Sequence, residues 1–322
     1  MGQEISTDVS RDPRRPLIAV VGPTATGKTR RAVAIARHVG GEIISGDSRQ
    51  VYRLMDLGTG KDLEEYGEVP YHLIDVAEPG TKYNLYQFLR DARKADAEIA
   101  ARGKLPIVCG GTGLYVESFL KGMALPEVPE NAALRAELEG KELPELKVIL
   151  ASMKMLHNVT DLDTCQRAIR AIEIQRYYLD HPDEARDAVE PTPRQALVVG
   201  VAIDRETRRR RITERLDARL AAGMTEEVER LLAAGIPAEN LIYYGLEYKF
   251  VTLFVTGQIS RAEMRDGLEI AIHQFAKRQM TWFRGMEKRG IPIAWLDYTL
   301  SDDDFVSETM RLYENRLREL EM

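Results

Sequence analysis

The first forty residues combine a short apolar run with an amphipathic segment. The run from Leu17 to Val21 is apolar throughout and lies between Pro16 and Gly22, which is typical of a buried strand in a parallel sheet. From Lys28 to Val39 the apolar residues recur with helical spacing, and two glycines follow as a stop signal. The pattern therefore predicts a strand, a glycine-rich loop and a helix, in that order.

Short strands and helices continue to alternate over the first third of the chain. Further strands are predicted at Glu42–Ser45, Tyr71–Val76 and Leu105–Cys109, and a helix is predicted at Leu85–Ala101. After about Gly122 the helical pattern dominates, at residues 131–139, 144–156, 162–180, 206–222, 224–233 and 261–284. Two apolar runs, Ala196–Ile203 and Pro292–Leu296, are expected to rejoin the sheet. This alternation predicts an α/β fold with a parallel sheet flanked by helices.

The pattern also predicts how the chain divides. We expect a disordered leader at 1–15, an α/β core at 16–122, a small all-helical insertion at 123–190 and the remainder of the core, with C-terminal helices, at 191–322. The leader lacks the apolar segment of a signal peptide, and no run of 18 apolar residues occurs, so a cytoplasmic protein without a membrane partner is expected. The spacing of the two cysteines excludes a zinc finger and a disulfide scaffold.

The glycine-rich segment after the first strand carries the clearest chemistry. GPTATGKT at 22–29 fits the pattern GxxxxGK[ST] and lies between a predicted strand and a predicted helix; a chance match is the alternative. In this setting backbone N–H groups point at one anion, Lys28 adds a positive charge, and the Thr29 hydroxyl can bind Mg²⁺. The residues expected to bind a di- or triphosphate are Gly22, Thr24, Ala25, Thr26, Gly27, Lys28 and Thr29.

Two more polar loops follow predicted strands and should lie at the same edge of the sheet. SGDSRQVY at 45–52 carries Asp47, a candidate to bind Mg²⁺ through water or to accept a proton from a nucleophile. GGTGLY at 110–115 offers the Thr112 hydroxyl and further N–H groups. It lacks the acidic residue with which an ordinary ATPase holds Mg²⁺ after an apolar strand. Ordinary turn chemistry and a plain strand-to-helix connection are the alternatives for these two loops.

The charge of the chain is unevenly distributed. The formal net charge is −6, yet the segment from Arg205 to Arg219 contains seven arginines and three acidic residues. Four of these arginines recur every three or four residues, which predicts either a basic stripe that binds phosphates or a solvated helix face. Because guanidinium groups suit diphosphate oxygens, Arg211 or Arg215 is the candidate clamp for a diphosphate.

A second basic segment interleaves cations with aromatic residues. Lys277 and Arg278 precede Trp282 and Phe283 in the last long predicted helix before Pro292. Such a mixture favours stacking on bases or contact with phosphates. The alternative is that the aromatic residues lie in the core and the cations in solvent.

Six ordered segments together resemble those of the tRNA dimethylallyltransferase family, also called the tRNA isopentenyltransferases. They are GPTATGKT at 22–29, SGDSRQVY at 45–52, GGTGLY at 110–115, QRAIRAIE at 166–173, the arginine-rich segment from Arg205, and AKRQMTWFR at 276–284. Their order and spacing match over about residues 16 to 298. The resemblance implies a sheet like that of the P-loop NTPases, with a helical insertion that faces tRNA.

The resemblance also implies a reaction. A dimethylallyl group would pass from dimethylallyl diphosphate to the exocyclic N6 of the adenosine just 3′ of the anticodon, tRNA position 37, with release of pyrophosphate. The implied base is Asp47, Thr112 and Lys28 are the other implied catalytic residues, and Mg²⁺ is the implied cofactor, bound at Thr29. The enzyme is expected to be a monomer. The implied contacts with the tRNA anticodon loop are Asp47, Ser48, Arg49, Gln50, Thr112, Arg135, Gln166, Arg167, Arg170, Lys277 and Arg278.

The chain departs from the family pattern in the parts expected to face tRNA. Its insertion is shorter and lacks the family's Asp-Pro pair, and Ile272-His273 stands where the family has Thr-Arg. These differences indicate a divergent member. The alternatives are an adenylate (AMP) isopentenyltransferase, a P-loop nucleotide or small-molecule kinase, and an RNA-binding protein that uses the phosphate loop only for structure.

Overall fold

The structure, a computed structural model, describes residues 15–125, 128–153, 164–182 and 192–321. The chain forms two compact units, Met1–Met123 with Thr192–Met322, and Ala124–Pro191. Residues 1–14 of the expected leader lie outside the described residues, as does the end of the helix predicted at 144–156. No helix in the described ranges is long and apolar enough to cross a membrane.

The first unit is built on one parallel sheet of six strands in the order β3-β2-β4-β1-β5-β6. The strands are β1 (Leu17–Val21), β2 (Glu42–Ser45), β3 (Tyr71–His72), β4 (Pro106–Gly110), β5 (Ala196–Ala202) and β6 (Ala294–Asp297). Every residue of β1, β2 and β4 is buried. The connection after β1 leads to β2 on one side, whereas the connection after the neighbouring β4 leads to β5 on the other side, so the crevice between β1 and β4 is the point where parallel sheets bind ligands. The predicted α/β fold is confirmed.

The described helices belong either to the first unit, with the sheet, or to the second unit. They are α1 (Lys28–Val39), α2 (Leu85–Ala101), α3 (Gly113–Leu120), α4 (Ala132–Leu138), α5 (Leu143–Met153), α6 (Cys165–Asp180), α7 (Arg205–Ala221), α8 (Met224–Ala233), α9 (Ala238–Tyr243), α10 (Leu246–Val255), α11 (Arg261–Lys288) and α12 (Asp302–Glu321). One apolar core joins the sheet to α1 and α12, and a separate core joins α7 to α11.

Local sequence patterns predicted some elements and missed others. The limits of α1 and α2 are as predicted, because each helix has a regular apolar face and α2 also has a capping box at Asn84. The strand predicted at Tyr71–Val76 ends at His72, since the backbone turns left-handed at Leu73 with φ +63°. Helices α9, α10 and α12 were not predicted. The segment LEYKFVTLFV of α10 is rich in aromatic and β-branched residues that favour strands, and its packing against α8 and α11 makes it helical.

In the described part of the second unit, α4, α5 and α6 pack around a small apolar core. Glu173 lies inside this unit with 2% of its surface exposed. Its carboxylate accepts hydrogen bonds from the Asn131 N–H at 2.5 Å, from Arg135 at 3.0 Å and from Arg170 at 2.5 Å. Two arginines expected to bind tRNA therefore also hold this unit together. The other two tRNA-binding candidates of this unit, Gln166 and Arg167, lie exposed in the first turn of α6.

Removing the Glu173 carboxylate should destabilise the helical unit. In Glu173→Ala, two guanidinium groups lose their shared partner, and we expect the free energy of unfolding of this unit to fall by about 3 kcal/mol. Urea denaturation followed by circular dichroism measures the change. Glu137→Ala is the control, because Glu137 is exposed on α4. Equal stability of the two variants would show that Glu173 does not hold the unit together.

Candidate active site

A cavity of about 720 Å³ opens at the carboxyl edge of the sheet, within the first unit. The phosphate loop, the loops after β2 and β4, and helices α7, α10 and α11 all contribute to its lining. Its charged lining residues are Lys28, Asp47, Arg49, Asp62, Glu65, Arg211, Arg215, Arg219, Glu247 and Arg278. Four cations of the phosphate loop and α7 thus face the same space as the candidate base.

The phosphate loop connects β1 directly to α1. Gly27 is the N-cap of α1 and has φ +82°, a left-handed conformation that strains any residue with a Cβ. The Thr26 hydroxyl donates to the Pro23 carbonyl at 2.9 Å and closes the loop on itself. Of the expected phosphate-binding residues, those that line the cavity are Thr24, Ala25, Gly27, Lys28 and Thr29. Gly22 and Thr26 shape the base of the loop instead.

The Lys28 side chain extends into the cavity from the first turn of α1. Removal of water around the ammonium group lowers its pKa, and the nearby Cys109 and Asp47 only partly oppose this effect. Burial raises the pKa of the Cys109 thiol to about 11. The thiol therefore stays protonated and gives Lys28 no negatively charged partner. No ion pair joins Lys28 to a carboxylate among the described residues. A bound anion would therefore stabilise the charged form of Lys28.

The loops after β2 and β4 are hydrogen-bonded to each other. The Thr112 hydroxyl oxygen accepts the N–H of Ser48 at 3.0 Å, and Asp47 accepts the N–H of Arg49 at 2.9 Å. A Cβ on Gly110 would lie 2.3 Å from the Gly46 carbonyl oxygen, so only glycine allows β4 and the β2 loop to approach this closely. Thr112 thus fixes the loop that carries the candidate base.

Gln279 on α11 joins the phosphate loop to the loop after β4. Its carbonyl oxygen accepts the Thr24 N–H at 2.8 Å, and its amide nitrogen donates to the Gly111 carbonyl at 2.8 Å. The side chain is buried, with 6% of its surface exposed. Sequence analysis did not single out Gln279. The available signal was that it falls on the buried face of α11, in register with Ala276 and Phe283, where a polar residue needs a partner.

Two arginines of α7 share one carboxylate at the cavity. Asp62 pairs with Arg215 at 2.6 Å and with Arg219 at 3.1 Å. Arg215 also reaches the Thr24 hydroxyl of the phosphate loop at 3.4 Å. Arg211 lines the cavity with its guanidinium group 4.8 Å from the centre of the Tyr298 ring. Of the two candidate clamps, Arg215 is the one in contact with the phosphate loop, and Arg219 is an additional cation absent from the predicted site.

The remaining candidates differ in their accessibility. Gln50 is buried and uses both ends of its amide, accepting from the Ser45 hydroxyl at 2.9 Å and donating to the Gly60 carbonyl at 3.0 Å. Arg49 lines the cavity. Lys277 and Arg278 are exposed on α11, and both line a second, shallower cavity of about 590 Å³ beside Trp282.

The aromatic residues of α11 divide between core and surface. Phe283 is fully buried, whereas 38% of the Trp282 surface is exposed. The Arg289 guanidinium lies 5.5 Å from the centre of the Trp282 ring. The exposed indole and the neighbouring cations form a shallow basic surface that adjoins the main cavity, because Arg278 and Trp282 line both.

The described residues contain no group of three or more His, Cys, Asp or Glu side chains that could hold a metal by themselves. Thr29, Asp47 and Glu65 nevertheless line the same cavity. Mg²⁺ is commonly bound by one or two protein oxygens together with substrate phosphates and water. The donor set therefore fits Mg²⁺ bound with a diphosphate, and not a metal held by protein ligands alone.

Loss of the Gln279 side chain should loosen the cavity as well as destabilise the fold. Gln279→Ala leaves the Thr24 N–H and the Gly111 carbonyl without their partner, and we expect about 1–3 kcal/mol less stability and weaker pyrophosphate binding. Urea denaturation and calorimetric titration with pyrophosphate measure the two effects. Gln274→Ala, at an exposed position of the same helix, is the control. If both variants behave alike, the Gln279 side chain neither stabilises the fold nor supports pyrophosphate binding.

Two family models and many known proteins match this chain. The family model for IPP transferase matches residues 50–286, and the family model for isopentenyl transferase matches residues 16–68. The tRNA dimethylallyltransferase 1 of Parabacteroides distasonis is 55% identical over 305 residues, which cover 94% of this chain and 98% of that protein.

Solved structures are similar over almost the whole chain. The tRNA isopentenylpyrophosphate transferase of Bacillus halodurans has a TM-score of 0.70 and 31% identity, and the match covers 95% of this chain and 97% of that one. The tRNA delta(2)-isopentenylpyrophosphate transferase of Staphylococcus epidermidis has a TM-score of 0.67 and 33% identity, covering 94% of this chain and 100% of that one. The chain therefore belongs to the tRNA dimethylallyltransferase family of IPP transferases.

Proposed function

We propose that this protein transfers a dimethylallyl group from dimethylallyl diphosphate to N6 of the adenosine 3′ of a tRNA anticodon, with release of pyrophosphate. The observation that carries the proposal is that the phosphate loop and the Asp47 carboxylate line one cavity in a chain of this family. An anion site and a base that share one cavity suit the attack of a nucleophile on a diphosphate ester. The relatives named above as tRNA dimethylallyltransferases support the choice of donor and acceptor.

Stabilising the leaving group is the main catalytic requirement. As the allylic C–O bond breaks, its electron pair leaves with the pyrophosphate, and positive charge spreads over the allylic carbons. Lys28 and Arg215 converge on the phosphate loop and would stabilise the negative charge that develops on the pyrophosphate. Because these cations are held in place before the substrate binds, little reorganisation is needed during the reaction.

The second catalytic requirement is to activate the nucleophile, adenine N6. The lone pair of adenine N6 is delocalised into the ring, so N6 is a weak nucleophile in the ground state. Asp47 would accept one N6 proton while the new C–N bond forms, which leaves the product amine neutral. The Asx turn from Asp47 to the Arg49 N–H and the Thr112 bond to Ser48 hold the carboxylate in position.

We propose Mg²⁺ as the cofactor, with Thr29 as its protein ligand. The Thr29 hydroxyl and the Asp47 and Glu65 carboxylates line the same cavity, so protein oxygens are available beside the diphosphate. When bound, the metal would neutralise part of the diphosphate charge and favour its departure. We also propose that the enzyme works as a monomer, because the cavity is lined by residues of one unit of a single chain. A cytoplasmic location is proposed because relatives are named as enzymes acting on tRNA.

The surface of α11 supports a polymeric acceptor. Lys277 and Arg278 lie beside the half-exposed Trp282, a combination that suits RNA phosphates and unstacked bases. The target adenosine must leave the stack of the anticodon loop to reach the cavity. A kinase is less well supported, because the loop after β4 carries Gly110, Gly111 and Thr112 where an acid would hold the metal of a nucleoside triphosphate.

The reaction is tested with labelled dimethylallyl diphosphate and Mg²⁺, with unmodified tRNA, AMP or no acceptor. We expect label in tRNA alone, and about 10²- to 10⁴-fold slower transfer by Asp47→Asn, because the general base is lost. Asp217→Asn is the control, since Asp217 pairs with Arg265 and does not line the cavity. Label in AMP would show that the acceptor is a free nucleotide and not tRNA. Absence of label from both tRNA and AMP would contradict the proposal.

The lowered pKa of Lys28 predicts how donor binding depends on pH. Bound diphosphate raises the Lys28 pKa again, so binding takes up a proton between the two values. Affinity should be highest below the pKa of free Lys28 and should fall by about tenfold per pH unit as the pH rises through it. Titrations with dimethylallyl diphosphate from about pH 7 to about pH 10 measure this. Lys28→Arg keeps its charge over the range and should bind independently of pH; parallel curves for both proteins would refute the assignment.

A further inference from the structure

The indole of Trp282 is packed against the start of α3. Trp282 lies almost one helical turn beyond Gln279 on α11, so the two side chains share a face. Gln279 donates to the Gly111 carbonyl, and the indole contacts Gly113, two residues further along. A Cβ on Gly113 would lie 2.2 Å from the indole Cδ1, so only glycine allows this approach. The indole is therefore fixed beside the loop that carries Thr112.

Arg289 contacts the same indole from the end of α11. Its guanidinium group lies 5.5 Å from the centre of the Trp282 ring, and two of its nitrogens donate to the two oxygens of Glu117, each at 2.6 Å. Glu117 is buried on α3 and also pairs with Lys121 at 2.8 Å. Burial alone would raise the pKa of Glu117, but the hydrogen bonds from Arg289 and Lys121 lower it. A bidentate ion pair thus holds the guanidinium beside the indole.

The two tryptophans of the chain differ in what they contact. Trp295 on β6 donates its indole N–H to Glu287 at 3.1 Å, and its ring packs edge-to-face against Phe283. It lines neither of the two cavities described above, whereas Trp282 lines both. The exposed part of Trp282 is therefore open to a ligand at the junction of the two cavities.

The shallow cavity beside Trp282 has the charge and shape of a nucleotide site. Its volume is about 590 Å³, and the cations that line it are Lys277, Arg278 and Arg289. Within the described ranges, no acidic side chain lines it. Sites for single-stranded nucleic acid combine an aromatic ring that stacks on a base with cations that contact the backbone phosphates.

The two cavities suit two neighbouring nucleotides. Under the proposed function, N6 of the target adenosine must reach Asp47, which lines the main cavity but not the shallow one. When that adenosine leaves the stack, the bases next to it lose a stacking partner. Because Trp282 and Arg278 line both cavities, an adjacent base in the shallow cavity would lie beside the indole.

We propose that Trp282 is a stacking platform for the unpaired base next to the target adenosine, and that the Glu117–Arg289 pair holds the indole in position. The inference rests on the proposed function, because it takes the acceptor to be an RNA whose target base has left the stack. In this account Trp282 contacts the acceptor, and Glu117 is a positioning residue. Since every base has a face that can stack on an indole, the platform adds affinity without selecting a sequence.

The first test measures binding of an unmodified anticodon stem-loop RNA to the full chain, without donor. Trp282→Ala should bind the intact RNA about tenfold to a hundredfold more weakly, and Trp282→Phe, which keeps an aromatic ring, should lose less. RNAs that lack the base on the 5′ or the 3′ side of the target identify the stacked base. With one of these two RNAs, wild type and Trp282→Ala should bind alike.

An RNA that lacks the target base itself is the control. The effect of Trp282→Ala should persist with this RNA, because the stacked base is still present. The proposal is wrong if Trp282→Ala weakens the binding of all these RNAs equally, or if its effect disappears only when the target base is missing.

The fluorescence of each tryptophan provides an independent measurement. Trp295→Phe leaves Trp282 as the only tryptophan, and Trp282→Phe leaves only Trp295. Stacking on a base quenches indole emission, so the RNA should quench the first variant and leave the second nearly unchanged. Unchanged Trp282 emission at saturating RNA would contradict the proposal.

Glu117→Gln tests the positioning role. Removing a negative charge near the RNA would by itself strengthen binding. We expect weaker binding of the intact RNA instead, and no such weakening with the RNA that lacks the stacked base, because Arg289 no longer holds the indole. Glu308→Gln is the matched control, since Glu308 also pairs with an arginine, Arg311, but lines neither cavity. Equal or tighter binding by Glu117→Gln would refute the positioning role.

These binding measurements are independent of prenyl transfer. Transfer to tRNA by the wild type, together with RNA binding that does not depend on Trp282, would refute the platform alone. Absence of transfer in the labelling assay would refute the proposed function separately.

Discussion

The arrangement of the cavity depends on one side chain that joins loops far apart in the sequence. Loops at the edge of a sheet are more mobile than the strands that carry them, and a reaction between two bound substrates requires fixed geometry. Gln279 supplies this constraint by bonding to the Thr24 N–H and to the Gly111 carbonyl at once. The Thr24 N–H is thereby used within the protein. Binding of the diphosphate must then rely more on Lys28, Arg215 and the remaining N–H groups.

The same cavity concentrates positive charge that the protein only partly neutralises. Lys28 lacks a carboxylate in ion-pair contact among the described residues, and Arg215 and Arg219 share the single carboxylate of Asp62. Partly desolvated cations of this kind destabilise the free protein, and a bound diphosphate relieves the repulsion. The site is therefore organised for the charge of its ligand before the ligand arrives, which is the condition for electrostatic catalysis.

Local patterns predicted the parts of this site that are continuous in the sequence. The phosphate loop could be placed between β1 and α1 because its glycines, its lysine and the flanking apolar residues lie within about 25 residues. Gln279 and Asp62 could not be found in this way. Their roles depend on contacts with Thr24 and Arg215, which are 255 and 153 residues away. Helix α10 was missed for the same reason, because tertiary packing overrides its strand-like composition.

Helices that carry none of the proposed catalytic residues also determine the shape of the cavity. The loop before Asp62 is held by Glu227 of α8, whose carboxylate accepts the N–H groups of Asp56 at 2.9 Å, Leu57 at 2.8 Å and Gly58 at 3.2 Å. The Tyr248 hydroxyl of α10 donates to the same carboxylate at 2.6 Å. Four donors on one buried carboxylate leave this loop little freedom. Contacts with α8 and α10 therefore help to position the segment that leads to Asp62, together with the bond from Gln50 in the loop after β2 to the Gly60 carbonyl.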